Sequence, residues 1–131
     1  MIRKHQMSRH ILFVDDEVPI RETLALYFRA KGMKVTTAET GEEAIRLSTE
    51  IPFSLVILDV KLGNESGLDL LERFKRMHPN LPVIMFTSLG EDPDLLTEAL
   101  AKGASAYMSK SESLDQLMKA VERSMQTAST A

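Results

Sequence analysis

The chain has 131 residues, 44% of them hydrophobic and 27% charged, with a net charge of −3. That is one ordinary soluble-type domain with room for a proper core, and its mild acidity gives no electrostatic case for non-specific nucleic-acid binding. No apolar run approaches the ~18 residues that span a bilayer, and the absence of cysteine excludes disulfide and thiolate chemistry, which fits a cytoplasmic protein.

Residues 1–8 are basic with no apolar signal segment and read as a flexible tail before the first strand. Ile11 to Val14 form a continuous apolar run ending in Asp15, Asp16 and Glu17. Pro19 suits the first turn of a helix, Ile20, Leu24, Tyr27 and Phe28 follow at helical spacing, and Gly32 stops it. Met33 to Thr37 is a short strand pattern. Thr40-Gly41-Glu42-Glu43 has capping-box spacing and opens a helix with Ala44, Ile45 and Leu47 inward.

Leu55 to Leu58 is a second fully apolar run, and it leads straight into Asp59. A loop over 61–65 precedes a helix that starts at Ser66-Gly67-Leu68-Asp69, passes through Leu71 and Phe74, and closes at His78-Pro79-Asn80. Pro82 to Thr87 is a third apolar strand. Asp92-Pro93 reads as an N-cap with proline at the first helical position, backed by Leu95, Leu96, Ala99 and Leu100. Ala104 to Met108 is the fifth strand, followed by Ser109-Lys110. Ser113 caps a last helix carrying Leu114, Leu117, Met118, Val121 and Met125 on one stripe, and 127–131 reads as a tail.

Five strand–helix repeats with short loops predict an α/β fold, a doubly wound parallel sheet covered by helices on both faces. All strand C-termini then share one edge, where such sheets bind ligands. That edge would gather Asp15, Asp16, Asp59, Thr87 and Lys110. Crowded carboxylates need a cation, and a hard ion such as Mg²⁺ suits oxygen ligands. Lys110 would face an anion as a point charge, Thr87 would offer a hydroxyl, and an aspartate could act as nucleophile toward phosphorus. Each has a bland alternative: caps and first-turn acids for the Asp15-Asp16 pair, β-propensity for Thr87, a solvated lysine, and packing for Tyr107. It is their convergence on one edge that favours chemistry.

The residues Val14-Asp15-Asp16-Glu17, Leu58-Asp59-Val60-Lys61-Leu62 with Ser66-Gly67, Phe86-Thr87-Ser88 and Tyr107-Met108-Ser109-Lys110 give the chain a resemblance to the receiver domain of two-component response regulators, of the chemotaxis-regulator type. The resemblance spans essentially the whole sequence, with residues 9–126 as the receiver domain. It implies a flavodoxin-like, five-stranded (βα)5 sheet of strand order 2-1-3-4-5. It implies that Asp59 accepts a phosphoryl group from a sensor histidine kinase or phosphotransfer protein. The metal, Mg²⁺ with Mn²⁺ as substitute, would bind Asp16 directly, Asp15 through water, Asp59, and the backbone carbonyl of Lys61. Lys110 would pair with the phosphoryl oxygens, and Thr87 and Tyr107 would form the switch. The readout would be the face of the fourth helix, fifth strand and fifth helix, meeting a downstream effector or, by analogy, a second copy. Neither nucleic acid nor membrane is expected as a direct partner, and no external substrate is turned over.

Two departures bear on the site. The family usually places proline after the site lysine, in a cis peptide, whereas Ser111 follows Lys110 here. A cis bond before serine costs about 2.5–4 kcal/mol, so the loop is either trans or strained. The loop after Asp59 reads Gly63-Asn64 in place of the usual Pro-Gly. Lys61 and Leu89, each two residues beyond a site residue, flank the path of a hydrolytic water, which points to slow self-dephosphorylation. An aspartyl-nucleophile phosphatase would want a second acid at position 61, where lysine stands. A phosphorylation-independent docking module remains the alternative reading. No second-domain pattern follows residue 125, which leaves both a stand-alone receiver and a piece of a longer regulator open.

Overall fold

The computed structural model describes residues 9–88 and 92–130; the N-terminal tail and Leu89 lie outside the described residues. The elements in order are β1 (His10–Val14), α1 (Val18–Ala30), β2 (Lys34–Ala38), α2 (Gly41–Glu50), β3 (Leu55–Leu58), a short hairpin pairing Lys61–Leu62 with Glu65–Ser66, α3 (Gly67–Met77), β4 (Val83–Thr87), α4 (Pro93–Ala101), β5 (Ala106–Ser109) and α5 (Leu114–Thr130). The strands form one parallel sheet of order β2-β1-β3-β4-β5, the doubly wound arrangement expected from the sequence.

Side-chain alternation divides each central strand between two cores. Ile11 and Phe13 of β1, Leu55 and Ile57 of β3 and Ile84 of β4 pack on the face covered by α1 and α5, through Leu24, Phe28, Leu117 and Val121. Leu12, Val14, Val56, Leu58, Val83 and Met85 turn to the other face, under Ala44 of α2, Leu71 and Phe74 of α3 and Ala99 of α4. Burial on both sides is why these strands read as continuous apolar runs instead of alternating ones.

The helix starts follow local side-chain chemistry. Thr40 Oγ1 accepts from Glu43 N at 3.2 Å, but Glu43 Oε1 returns to the amide of Glu39 (2.9 Å), one residue before the cap expected of a capping box. The reciprocal pattern forms instead at α5, where Ser113 Oγ accepts from Gln116 N (3.1 Å) and Gln116 Oε1 from Ser113 N (3.3 Å). Asp92 Oδ1 caps α4 through the amides of Asp94 and Leu95.

Three features differ from the sequence reading. The stretch 61–65 is not a simple loop but begins a two-stranded hairpin with a turn at Gly63, φ +60°. Leu96 and Leu100 do not back α4: they are 39% and 49% exposed, because this nine-residue helix packs on edge strand β5 and on α3 through Ala99 alone of its fully buried residues. The last helix continues through the small, polar residues after Gln126 to Thr130. No helix among the described residues is long and apolar enough to cross a membrane.

Candidate functional site

The C-terminal ends of β1, β3 and β5 bring the side chains of Asp15, Asp16, Asp59 and Lys110 together, and Thr87 ends β4 with its carbonyl bonded to the Lys110 amide. Asp15 follows β1 directly. Its amide donates to Ala38 O (3.1 Å), extending the β1–β2 pairing, and its carbonyl accepts from Arg21 Nη1 at 2.6 Å. Arg21 is held in turn by Glu39 at 3.7 Å. Asp15 Oδ1 accepts from the Glu17 amide (2.9 Å), the local bond that turns the chain from strand into α1.

Asp59 follows β3 and donates its amide to Val14 O at 3.3 Å. Its Oδ1 accepts from the amide of Lys61 (3.3 Å), two residues on. Asp15 and Asp59 are buried, at 0% and 4% exposure. Asp16 is exposed, and its Oδ2 accepts from the Gly63 amide at 3.1 Å, which draws the hairpin over the acids.

Lys110 Nζ donates to Asp15 Oδ2 at 2.6 Å and to Asp59 Oδ2 at 2.9 Å, with Glu17 Oε1 at 3.4 Å. Its amide donates to the carbonyl of Thr87 at 2.8 Å, so the buried end of β4 anchors the lysine's backbone. Ser111 does not misdirect it. No cis peptide occurs among the described residues. The turn after β5 is held by polar bonds: the Ser111 amide to Ser109 Oγ (3.1 Å), the Ser109 amide to Glu112 Oε2 (3.1 Å) and the Glu112 amide to the Ser109 carbonyl (3.0 Å).

Oxygen atoms of Asp15, Asp16, Glu17 and Asp59 all lie within 4.8 Å of one another. Unit charges about 4 Å apart interact by about 4 kcal/mol at an effective dielectric of 20, so a single ammonium leaves the cluster short of positive charge. Burial pushes the Asp15 carboxyl above its usual range, and the bonds from Lys110 and the Glu17 amide only partly offset it. Burial alone would pull the Lys110 ammonium down, but Asp15 and Asp59 outweigh it and hold it above its usual range. An all-oxygen, over-acidic cluster fits a hard divalent cation.

Tyr107 lies on β5 beside Met85 of β4 and packs half-buried against the α2–α3–α4 core. Burial, then the Asp92 and Asp59 charges, raises its phenol above the usual range. The lysine side chain at 61 is exposed, and its backbone amide reaches Asp59 Oδ1.

Two residues gain a physical role that the sequence reading did not give them. Glu17 is a fourth carboxylate, signalled only as the third acid in the run after β1. Gly67 opens α3 against the strand end: its amide donates to Val60 O at 2.6 Å, and an added Cβ would overlap the Asp59 carbonyl oxygen. Glycine there is a matter of close backbone approach beside the buried carboxylate.

The response regulator receiver domain family matches residues 11–122. The CheY-like receiver domain protein of Methanospirillum hungatei JF-1 superposes with a TM-score of 0.87 at 25% identity, covering 93% of this chain and 97% of that one. Sporulation initiation phosphotransferase F of Bacillus subtilis is 32% identical over 117 residues, 89% of this chain and 94% of the relative. Transcriptional regulatory protein GlrR of Escherichia coli is 30% identical over 122 residues, 93% of this chain but 27% of the relative, so the chain spans about a quarter of that protein's length. A doubly wound sheet with acids and a lysine at its C-terminal edge is thus the architecture of a CheY-like switch domain. The chain belongs to the response regulator receiver domain family of two-component systems.

Proposed function

We propose that Asp59 accepts a phosphoryl group from the phosphohistidine of a sensor histidine kinase or phosphotransfer protein. The observation that carries this reading is the position of Lys110 Nζ, bonded at once to the buried carboxylates of Asp15 and Asp59. In the transfer a carboxylate oxygen of Asp59 bonds to phosphorus while the P–N bond to the donor imidazole breaks, and the electron pair leaves with that nitrogen. Mg²⁺, or Mn²⁺ in its place, held by Asp16, Asp59, the Lys61 carbonyl and, through water, Asp15, would supply positive charge to the phosphoryl oxygens. Lys110 would follow the charge from the carboxylate onto the phosphoryl group.

The switch then rests on two residues. The Thr87 hydroxyl would bond the phosphoryl group, and Tyr107 would swing inward behind it, biasing a two-state element by local charge. The responding surface would be α4, β5 and α5, where exposed Leu96 and Leu100 offer an apolar patch to an effector or a second copy. Residues 9–126 would form the working unit, placed in the cytoplasm, with the phosphoryl group its only covalent chemistry. The docking-module alternative drew on Ser111; the bonds from Lys110 to both buried carboxylates support phosphoacceptance over it. Intact mass after incubation with Mg²⁺ and a small phosphodonor tests the metal dependence: one phosphoryl group should be gained with Mg²⁺ and none in chelator. Equal gain in both would contradict the metal's role.

A further inference from the structure

We propose that Glu65 is a positioning residue that pins the hairpin after Asp59 onto α2, and so sets the acid cluster's affinity for a divalent cation. This rests on the reading of the site given above. The hairpin has two residues per strand, too few to be stable alone. Its first strand and turn are tied to the site, through the Lys61 amide on Asp59 Oδ1 (3.3 Å) and the Gly63 amide on Asp16 Oδ2 (3.1 Å). Leu62, opposite Glu65, is sunk in the core.

The second strand is tied elsewhere. Glu65 Oε2 accepts from the Gly41 amide at 3.1 Å, across 24 residues. Gly41 is the first residue of α2, so this is one of the helix's four orphan donors, and a carboxylate there is favoured by both charge and dipole. Thr40 already serves the Glu43 amide, so Glu65 supplies from outside what the helix's own cap does not. A Cβ added at Gly41 would meet Glu65 Oε1 at 2.6 Å and, less tightly, the Leu70 methyls at 3.2 and 3.3 Å, so glycine there leaves room above all for the remote carboxylate. The backbone groups of Lys61 and Gly63 are thereby held against Asp59 and Asp16 before any cation arrives. Groups bonded directly to metal ligands typically matter about 10–100-fold in affinity; Glu65 acts one step further out, through the Lys61 and Gly63 amides, so its effect should fall at or below the low end of that range.

Titration calorimetry with Mg²⁺ on the full chain tests this, with urea unfolding in chelator to confirm the fold of each variant. Glu65→Ala should weaken Mg²⁺ binding severalfold, up to about tenfold. Glu65→Gln, which keeps an acceptor for the Gly41 amide, should retain most of the affinity. Gly41→Ala, which displaces the carboxylate but keeps its charge, should weaken binding as Glu65→Ala does, and it carries the test should Glu65→Ala not fold. Unchanged affinity in Glu65→Ala or Gly41→Ala would overturn the inference while leaving the site reading intact. Equal loss in Glu65→Ala and Glu65→Gln would overturn it in favour of plain charge. No Mg²⁺ binding by the parent would overturn the site reading and this inference together.

Discussion

Lys110 Nζ lies 2.6 Å from Asp15 Oδ2, although 95 residues and the two strands β3 and β4 separate them. Together with Asp59 Oδ2 at 2.9 Å, this makes the lysine the counter-charge for two buried carboxylates. Lys110→Ala would leave both without it. Removing one partner of a buried pair costs about 3–5 kcal/mol, and the open side of the site at Asp16 and Glu17 places the loss near about 3. Urea unfolding in chelator reads it directly. Saturating Mg²⁺ should restore much of it, since a ligand at 100 times its Kd adds about 2.7 kcal/mol. A variant as stable as the parent in chelator would show that the bonds are not holding the site.

Gly67→Ala should be severe for a one-carbon change. The new Cβ would overlap the Asp59 carbonyl oxygen, and the Asp59 and Val60 backbone atoms around it cannot yield as a flexible side chain would. Overpacking of this kind costs about 1–3 kcal/mol or more, and relief must displace Asp59 itself. Denaturant midpoints and phosphoryl gain should therefore fall together. Loss of neither would contradict the close approach.

The acids and the lysine were legible because strands buried on both faces announce their own ends: Leu58 gives way to Asp59 and Val14 to Asp15. The hairpin was not, since two-residue strands have no periodicity to read, and only Gly63-Asn64 marked a turn. Glu65 on Gly41 was equally hidden, because a contact over 24 residues between a loop acid and a helix amide leaves no local pattern. Leu96 and Leu100 misled in the opposite sense. Their helical spacing was read correctly, but a helix at the sheet's edge leaves part of such a stripe in water.

His10 gives a pH dependence. Its ring stacks edge-on with Phe53 at 4.9 Å and bonds Thr36 Oγ1 at 2.7 Å, and burial, then Lys34, lowers its pKa. The unfolded imidazole, at about 6.5, therefore takes up its proton before the folded one. Stability from this residue is complete above that value and declines as pH falls through it toward the lower folded value. His10→Gln should flatten the unfolding free energy over that window. An unchanged slope would contradict the assignment.

Slow self-dephosphorylation, the expectation drawn from Lys61 and Leu89 in the sequence, has its own test. The Lys61 side chain leaves the backbone at the very residue whose amide bonds Asp59 Oδ1, so a cation there can crowd the phosphoryl oxygens against water. Lys61→Ala and Leu89→Glu should each shorten the lifetime, by up to about tenfold, or about 1.4 kcal/mol in the barrier. Phosphoprotein decay followed by intact mass checks this, and unchanged lifetimes would refute slow self-dephosphorylation.

The central claim is that Asp59 is the phosphoacceptor, and intact mass of the parent beside Asp59→Asn, each with Mg²⁺ and a small phosphodonor, tests it most directly. The amide keeps the size and one acceptor oxygen but loses the nucleophilic carboxylate. The parent should gain one phosphoryl group and Asp59→Asn none. Equal gain by both proteins, or by neither, would contradict the account.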